Sequence, residues 1–285
     1  MGKTAKIKSD LDDVSSLVEI IQILKDVASN HFYNTAKRKE KFLEFAESFS
    51  EFFRMVSLAE AKSPLVHPAG DQVALLAVTS EGGFMAEMNA KVVRTAVMEA
   101  EKFKAHKFIM IGSKGADKMR QLTKDEFTLF SDIEEKGLFR TTMEVKEHII
   151  KEVEAGRIDK VFAVYPRSKT INLIKPFTVK LLPSEELITK QLDMKDTIEK
   201  VIVESSLDAV IHYLADIWLT CRIYEMLEDC VVAGFAAQSQ QLEASLERLK
   251  KDKKGLALTF VKAKKSDIDK SLREVFTATM LTGRR

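Results

Sequence analysis

Residues 9–30 read SDLDDVSSLVEIIQILKDVASN. Leu11, Val14, Val18, Ile21 and Leu24 recur there at intervals of three and four, the narrow stripe of a coiled-coil seam. Neither Gly nor Pro occurs between Lys3 and Ser63. Those two residues end helices, so the stretch predicts a helix far longer than the average of about 11–12 residues. A second apolar set follows at Phe42, Phe45, Phe49, Phe52 and Val56, across a polar interval from His31 to Lys41 that predicts a break in the stripe. Ser9-Asp10 suits the start of the helix and Ser63-Pro64 its end, because proline pushes the preceding residue out of the α region.

The other end of the chain has the same character. After Pro183 no Gly or Pro occurs before Gly234. Leu207, Val210, Leu214, Ile217, Cys221, Tyr224, Leu227, Val231 and Phe235 keep helical spacing, with Ser206 and Asp208 placed to cap the start. Leu242, Leu246 and Leu249 continue the pattern to a charged break at Lys250–Gly255, and Leu256 to Leu281 resume it. Trp218, the one tryptophan, sits beside the stripe as a packing residue. Each stripe is too narrow to stabilise a lone helix. The expectation is that the two wrap antiparallel, with Leu17–Leu24 against Leu256–Val275.

Between them the pattern changes. Val73–Val78 is a continuous apolar run, the look of a buried parallel strand, and the turn Thr79-Ser-Glu-Gly-Gly83 closes it. Met88–Phe103 reads as a helix with Val92, Val93, Ala96, Val97 and Ala100 inward. Phe108–Ile111 is a second strand ending at Gly112-Ser-Lys-Gly115, Thr142–Glu154 a helix, and Val161–Val164 a third strand. Thr170–Ile174 and Phe177–Leu182 alternate like edge strands, and Thr197–Val203 reads as the last strand. The fold class is therefore α/β: a long antiparallel coiled coil of N- and C-terminal helices with an inserted open, Rossmann-like α/β domain. The boundaries are 1–63 for the first helix, 70–204 for the inserted domain and 205–285 for the second helix.

The 285 residues carry 45 basic and 43 acidic side chains, a net charge of +2 that gives no support to a nucleic-acid groove. Lys37-Arg38-Lys39 and Lys250-Lys251-Asp252-Lys253-Lys254 are local basic runs, read as solvated helix faces. Cys221 and Cys230 are nine apart on a helix, too far to bridge, and point to a reduced, cytosolic compartment. No apolar h-region follows Met1, and no apolar run approaches about 18 residues, so the chain is expected to reach a membrane only through partners.

The sequence carries little recognisable chemistry. Thr79–Gly83 stands where a phosphate loop would, between strand and helix, but matches neither GxGxxG nor GxxxxGK[ST]. At Gly112-Ser113-Lys114-Gly115, Lys114 is a candidate for an anion, weighed against an ordinary glycine turn. His31, His67, His106, His148 and His212 are scattered singly, without metal-ligand spacing. Glu134-Glu135 and Glu185-Glu186 are adjacent pairs that point to different faces, poor acid–base dyads. The reading assigns no catalytic residue, no metal and no cofactor.

Several stretches taken in order resemble the gamma subunit of the rotary F-type ATP synthase. Thr79-Ser-Glu-Gly-Gly-Phe-Met-Ala-Glu-Met-Asn89 is similar to that family's T-S-D-R-G-L-C-G-x-x-N, with Gly83 and Asn89 matching outright. Met110–Gly115 resembles I-G-x-K-G, and Ile158–Tyr165 with Leu181-Leu-Pro183 resembles D-x-V-x-x-x-Y…LLP. Leu24–Ser29 stands for M-x-M-V-A-x, and Lys262–Val275 for N-K-x-R-Q-x-x-I-T-x-E-L-x-E-I. Each motif is short, and their collinearity along nearly the whole chain carries the resemblance. The chain departs from the family at Gly82–Ala86, at Gln22 for a lysine, around Val231–Ala237, and at Lys264-Lys265 for R-Q.

The resemblance implies a non-catalytic central-stalk rotor subunit, passing torque between a hexameric ATPase head and a membrane rotor ring in proton-coupled ATP synthesis. It implies alpha- and beta-type head subunits, an epsilon-type subunit and the ring as partners, and a peripheral place on the cytoplasmic side. Contact residues carried over are Gln22, Lys25, Asp26, Lys262, Lys264, Lys265 and Asp269, with Gly83 and Met85 in the first turn. Three alternatives stay open beside it: a subunit of a specialised ATPase-driven machine, a coiled-coil scaffold with a partner-binding α/β domain, and a nucleotide- or sugar-phosphate-binding enzyme built on the Gly82-Gly83 turn.

Overall fold

A computed structural model describes residues 3–55, 63–131, 133, 136–183 and 207–282. The elements run α1 (Lys3–Met55), β1 (Val73–Val78), α2 (Ala86–Phe103), β2 (Lys107–Ile111), α3 (Ser113–Leu122), β3 (Phe127–Phe130), α4 (Leu138–Glu154), β4 (Lys160–Thr170), β5 (Leu173–Leu182) and α5 (Leu207–Thr282). A short 3-10 turn at Gly83–Met85 leads into α2. The strand expected at Thr197–Val203, the pairs Glu134-Glu135 and Glu185-Glu186, and the cap at Ser206 lie outside the described residues, as do the side chains of Phe42, Phe45, Phe49, Phe52, Val56 and Asp208.

The chain divides into two compact units, Met1–Ala28 with Ser239–Arg285, and Ser29–Gln238. The larger unit is built on one five-stranded sheet ordered β3-β2-β1-β4-β5. β3, β2, β1 and β4 are mutually parallel, and β5 returns antiparallel on β4. The all-apolar β1 is central because a strand covered on both faces cannot alternate. Ala74, Leu76 and Val78 pack on one side with α4 and with Trp218, Leu219 and Ile223 of α5. Leu75 and Ala77 pack on the other with Val92, Val93 and Ala96 of α2 and Met119 of α3. Trp218 is the packing residue that its position suggested.

Four expectations need correction. Gly112–Gly115 is not a closing turn: Gly112 precedes α3, and α3 and β3 are additional elements. They escape a periodicity reading because α3 buries only Ala116 and Met119 as side chains with a β-carbon, and β3 has four residues. The edge strands are one hairpin, with β4 running through to Thr170. The polar interval of α1 does not break the stripe, since Phe32, Thr35 and Lys39 are all buried at three–four spacing. Likewise Lys250–Gly255 interrupts nothing, because α5 is continuous there.

Two carboxylates fasten the sheet to its surroundings. Asp159, just before β4, accepts the backbone N–H groups of Gly70 and Gln72, each at 2.9 Å. Glu152 near the end of α4 accepts a two-point contact from Arg157, at 2.5 and 3.0 Å, and a bond from Lys107 of β2 at 2.6 Å. These cations, Arg157 foremost and against the opposing effect of burial, hold the Glu152 carboxyl down at about 2. A depressed acid stabilises the fold above its unfolded value of about 4.5 and loses that contribution as pH falls towards 2. With Arg157 half exposed and screened by solvent, Glu152→Gln should lower unfolding free energy at pH 7 by about 1–2 kcal/mol. The gap from the parent should close as denaturation is repeated from pH 5 down to pH 2.

Candidate functional site

Within the smaller unit the first turns of α1 lie antiparallel to the far half of α5. Lys25 pairs with Glu243, and Thr4 Oγ1 donates to Asp267 Oδ2 at 2.5 Å. Going back along α1 from Lys25 to Thr4 therefore runs forward along α5 from Glu243 to Asp267. This register sets Leu17–Leu24 against the stretch just past Glu243 and Leu256–Asp267 against earlier turns of α1, while Ile268–Val275 run past Thr4. The expected antiparallel pairing is present, displaced by several turns, because composition offers many equivalent apolar partners and the charged pair selects among them.

The seam inside the pair is formed from α1 by Ile7, Leu11, Val14, Val18 and Ile21, all partly buried, and Ala28, fully buried. From α5 it takes buried Leu242 and Leu246, then partly buried Leu249, Leu256 and Phe260. Leu24 leaves the seam: three–four alternation from Ile21 reaches Lys25, whose stem takes the slot while its ammonium meets Glu243. That hydrogen bond to Glu243 raises the Lys25 pKa.

A second stripe stays outside. Leu17, Ile20, Leu24 and Val27, again at three–four spacing, are 44–51% exposed, and Ile23 beside them is 62% exposed. On α5, Ile268, Leu272, Val275, Phe276 and Met280 are also exposed. The outer surface is thus not purely polar. A pair of helices hides only a seam about two residues per heptad wide, and this sequence supplies more apolar side chains than that. The spacing of the second stripe was visible in the sequence and marks a face that periodicity alone would assign to a core.

Of the residues inferred as contacts, Asp26, Lys262, Lys264, Lys265 and Asp269 are exposed. Gln22 is partly buried and donates to Asp26 at 3.0 Å, and Lys25 is occupied by Glu243. Gly83 is exposed with open space around it. Met85 differs: it is 2% exposed and packs into the core beneath the sheet with Met88 and Val92.

The two glycine-containing turns of the larger unit resolve into packing. Asn89 of α2 accepts the Ser80 N–H at 3.1 Å and donates to the Ser80 carbonyl at 3.0 Å, which fastens the β1–α2 turn. Thr79 Oγ1 donates to the Ile111 carbonyl at 2.8 Å. Gly112 has φ +97°, and a Cβ there would come within 2.2 Å of the Thr79 carbonyl oxygen. At Gly115 a Cβ would meet Thr79 Oγ1 at 2.0 Å. Both glycines let α3 approach Thr79, while Lys114 points to solvent.

A groove of about 380 Å³ beside the first turn is lined by Ser80, Glu81, Phe84, Cys230, Phe235 and Gln238, among others, with no lysine or arginine. That lining does not suit a phosphate. Among the described residues no group of three His, Cys, Asp or Glu side chains could hold a metal, and no helix is long and apolar enough to cross a membrane. Cys221 and Cys230 are both free thiols.

Two gamma chains are similar to this chain over nearly its whole length. The ATP synthase gamma chain of Syntrophobacter fumaroxidans is 24% identical over 290 residues, covering 96% of this chain and 97% of its own. That of Laribacter hongkongensis is 24% identical over 289 residues, covering 96% and 98%. The family model described as ATP synthase matches residues 3–280. The chain belongs to the ATP synthase gamma family. Its fold also matches a chain of the Euglena gracilis mitochondrial ATP synthase with TM-score 0.61 and 16% identity, over 99% of this chain and 95% of that one. A chain from the central stalk and c-ring structure of the Tetrahymena thermophila enzyme gives TM-score 0.59 and 16% identity, over 79% and 99%.

Within the gamma fold, the matched Asn89 and Gly115 are thus structural, one fastening a turn and the other admitting Thr79. The seam is the part of the smaller unit that must survive for any function. Leu246→Ala, at a fully buried seam position, should cost about 2–5 kcal/mol. Leu258→Ala, at an exposed one, should change stability by under about 0.5 kcal/mol. Urea titrations followed by circular dichroism measure both.

Proposed function

We propose that the chain is the central-stalk rotor subunit of a rotary ATPase, carrying torque between a hexameric head of alpha- and beta-type subunits and a membrane rotor ring. The observation that carries this reading is the helix pair of the smaller unit, closed along one seam and apolar again on its outside. A shaft needs the seam for stiffness. It needs the exposed stripe only if a surrounding sleeve covers it, since contiguous apolar surface left in water marks an interaction face. The full-length match to gamma chains supports the same assignment, as does the likeness to chains in stalk-containing structures. An epsilon-type subunit and the ring are the partners proposed for the larger unit, and the protein's place is peripheral, on the cytoplasmic side. The working division we propose is helix 1–63, inserted domain 70–204 and helix 205–285.

Lys262, Lys264, Lys265 and Asp269, with Asp26 and Gln22, are proposed as polar contacts with the head beside that apolar face. Charge reversal by Lys264→Glu with Lys265→Glu should leave the purified chain folded, because exposed charges add little to stability. It should weaken assembly with the head, and more at low salt where screening is least. Co-purification in mild detergent with chains carrying GxxxxGK[ST] loops is the readout. Assembly that the double reversal leaves untouched removes these lysines from the contact, and absence of any such head removes the stalk assignment.

The chain is proposed to contribute no catalytic group of its own. Purified alone it should not hydrolyse ATP, and Lys114→Ala should leave the turnover of an assembled complex unchanged in a coupled ATPase assay. Turnover by the isolated chain that Lys114→Ala abolishes would reverse this assignment.

A further inference from the structure

A buried group of charges lies between α1 and α5 in the larger unit. Lys39 Nζ is 2.5 Å from Asp229 Oδ1 and 3.8 Å from Glu225 Oε1. Arg38 Nε is 3.4 Å from Glu228 Oε1, Arg222 Nη1 is 2.9 Å from Glu225 Oε2, and Arg167 of β4 is 4.0 Å from Asp229 Oδ2. Lys39, Glu225, Glu228 and Asp229 are each at most 8% exposed. Tyr165 of β4 faces the same acids, and burial foremost, with their charge added, holds its phenol well above the usual range.

The group is poorly suited to adding stability. Glu228 Oε2 and Asp229 Oδ2 are buried and accept no hydrogen bond. Burial pushes the pKa of both acids up in spite of their cationic neighbours. Apolar residues of similar volume hold such a site at least as well as buried ions.

Its geometry suits another task. Most seam positions of α1, including Ile21, Ala28 and Phe32, are apolar, so a slip of one heptad exchanges one apolar contact for another there, and at Lys25 it breaks only a part-exposed pair with Glu243, whose ions water can solvate. At Lys39 it does more: a slip would set Phe32 or Ala46 against Asp229 and Glu225 and strand two buried carboxylates. We propose that the Lys39–Asp229–Glu225 group is a register key, which fixes the axial position of α1 on α5 and contributes little to stability. A single polar position in an apolar seam sets register in this way. The proposal depends on the pairing of the two helices and stands apart from the identity of the ATPase head.

The test measures register directly in the full chain. Spin labels replace Tyr33 of α1 and Tyr213 of α5, both exposed, in a background with Cys221→Ala and Cys230→Ala. Pulsed dipolar spectroscopy should give one distance for the parent. The apolar variant Lys39→Met, Glu225→Leu, Asp229→Leu should keep or raise the thermal midpoint and add a second distance displaced by about 10 Å, one heptad of helix rise. A single parental distance in that variant overturns the proposal. If the apolar variant fails to fold, charge exchange decides. Lys39→Asp alone should broaden or shift the distance, and Lys39→Asp with Asp229→Lys should restore it. A parental distance with Lys39→Asp alone, or no restoration by the exchange, also overturns it.

Discussion

Everything in this protein depends on two long helices being unable to exist singly. An amphipathic helix whose apolar stripe is only a seam wide gains too little from its own backbone to stay ordered in water. α1 and α5 therefore have to find each other, and they do so antiparallel in both compact units, through Lys25 with Glu243 in the smaller and Lys39 with Asp229 in the larger. That pairing joins the two ends of the chain, and the segment between them folds as an insertion whose sheet covers one face with the start of α5.

The pairing also explains the distribution of polar groups. Along a uniform seam, hydrophobic burial is strong but indifferent to position. Position comes from the few places where a charge must meet its counterpart, and those places are sparse. In the inserted domain the same division of labour appears. Apolar β1 and its neighbours supply cohesion, while Asp159, Asn89 and Glu152 fix particular loops and helix ends by hydrogen bonds that only one arrangement satisfies.

The glycine turns of the inserted domain owe their residues to packing. Gly112 and Gly115 look like parts of a phosphate loop, yet the room they create is filled by Thr79. The apolar stripe through Leu17, Ile20, Leu24 and Val27 has the reverse character. It reads as core and lies on the surface. A torque-bearing shaft is the kind of object in which that exchange is expected, since its working surface is its outside.

Helix length, the α/β character of the insertion, the buried status of β1 and the inward face of α2 were all legible in the sequence. Each rests on a local rule: missing helix breakers, a period of three to four, or a continuous apolar run. Family membership was legible too, through short motifs kept in order. Register was not legible, because Leu242 and Leu256 are interchangeable as apolar partners until Glu243 meets Lys25. Nor was the burial of Lys39, which reads as solvated until Asp229 and Glu225 are brought to it from about 190 residues away. α3 and β3 were too short and too exposed to leave a periodic trace. The sequence alone determined which segments must be buried. Only the tertiary structure decided against what, because apolar attraction carries no address and charge pairing has none until the partners are in place.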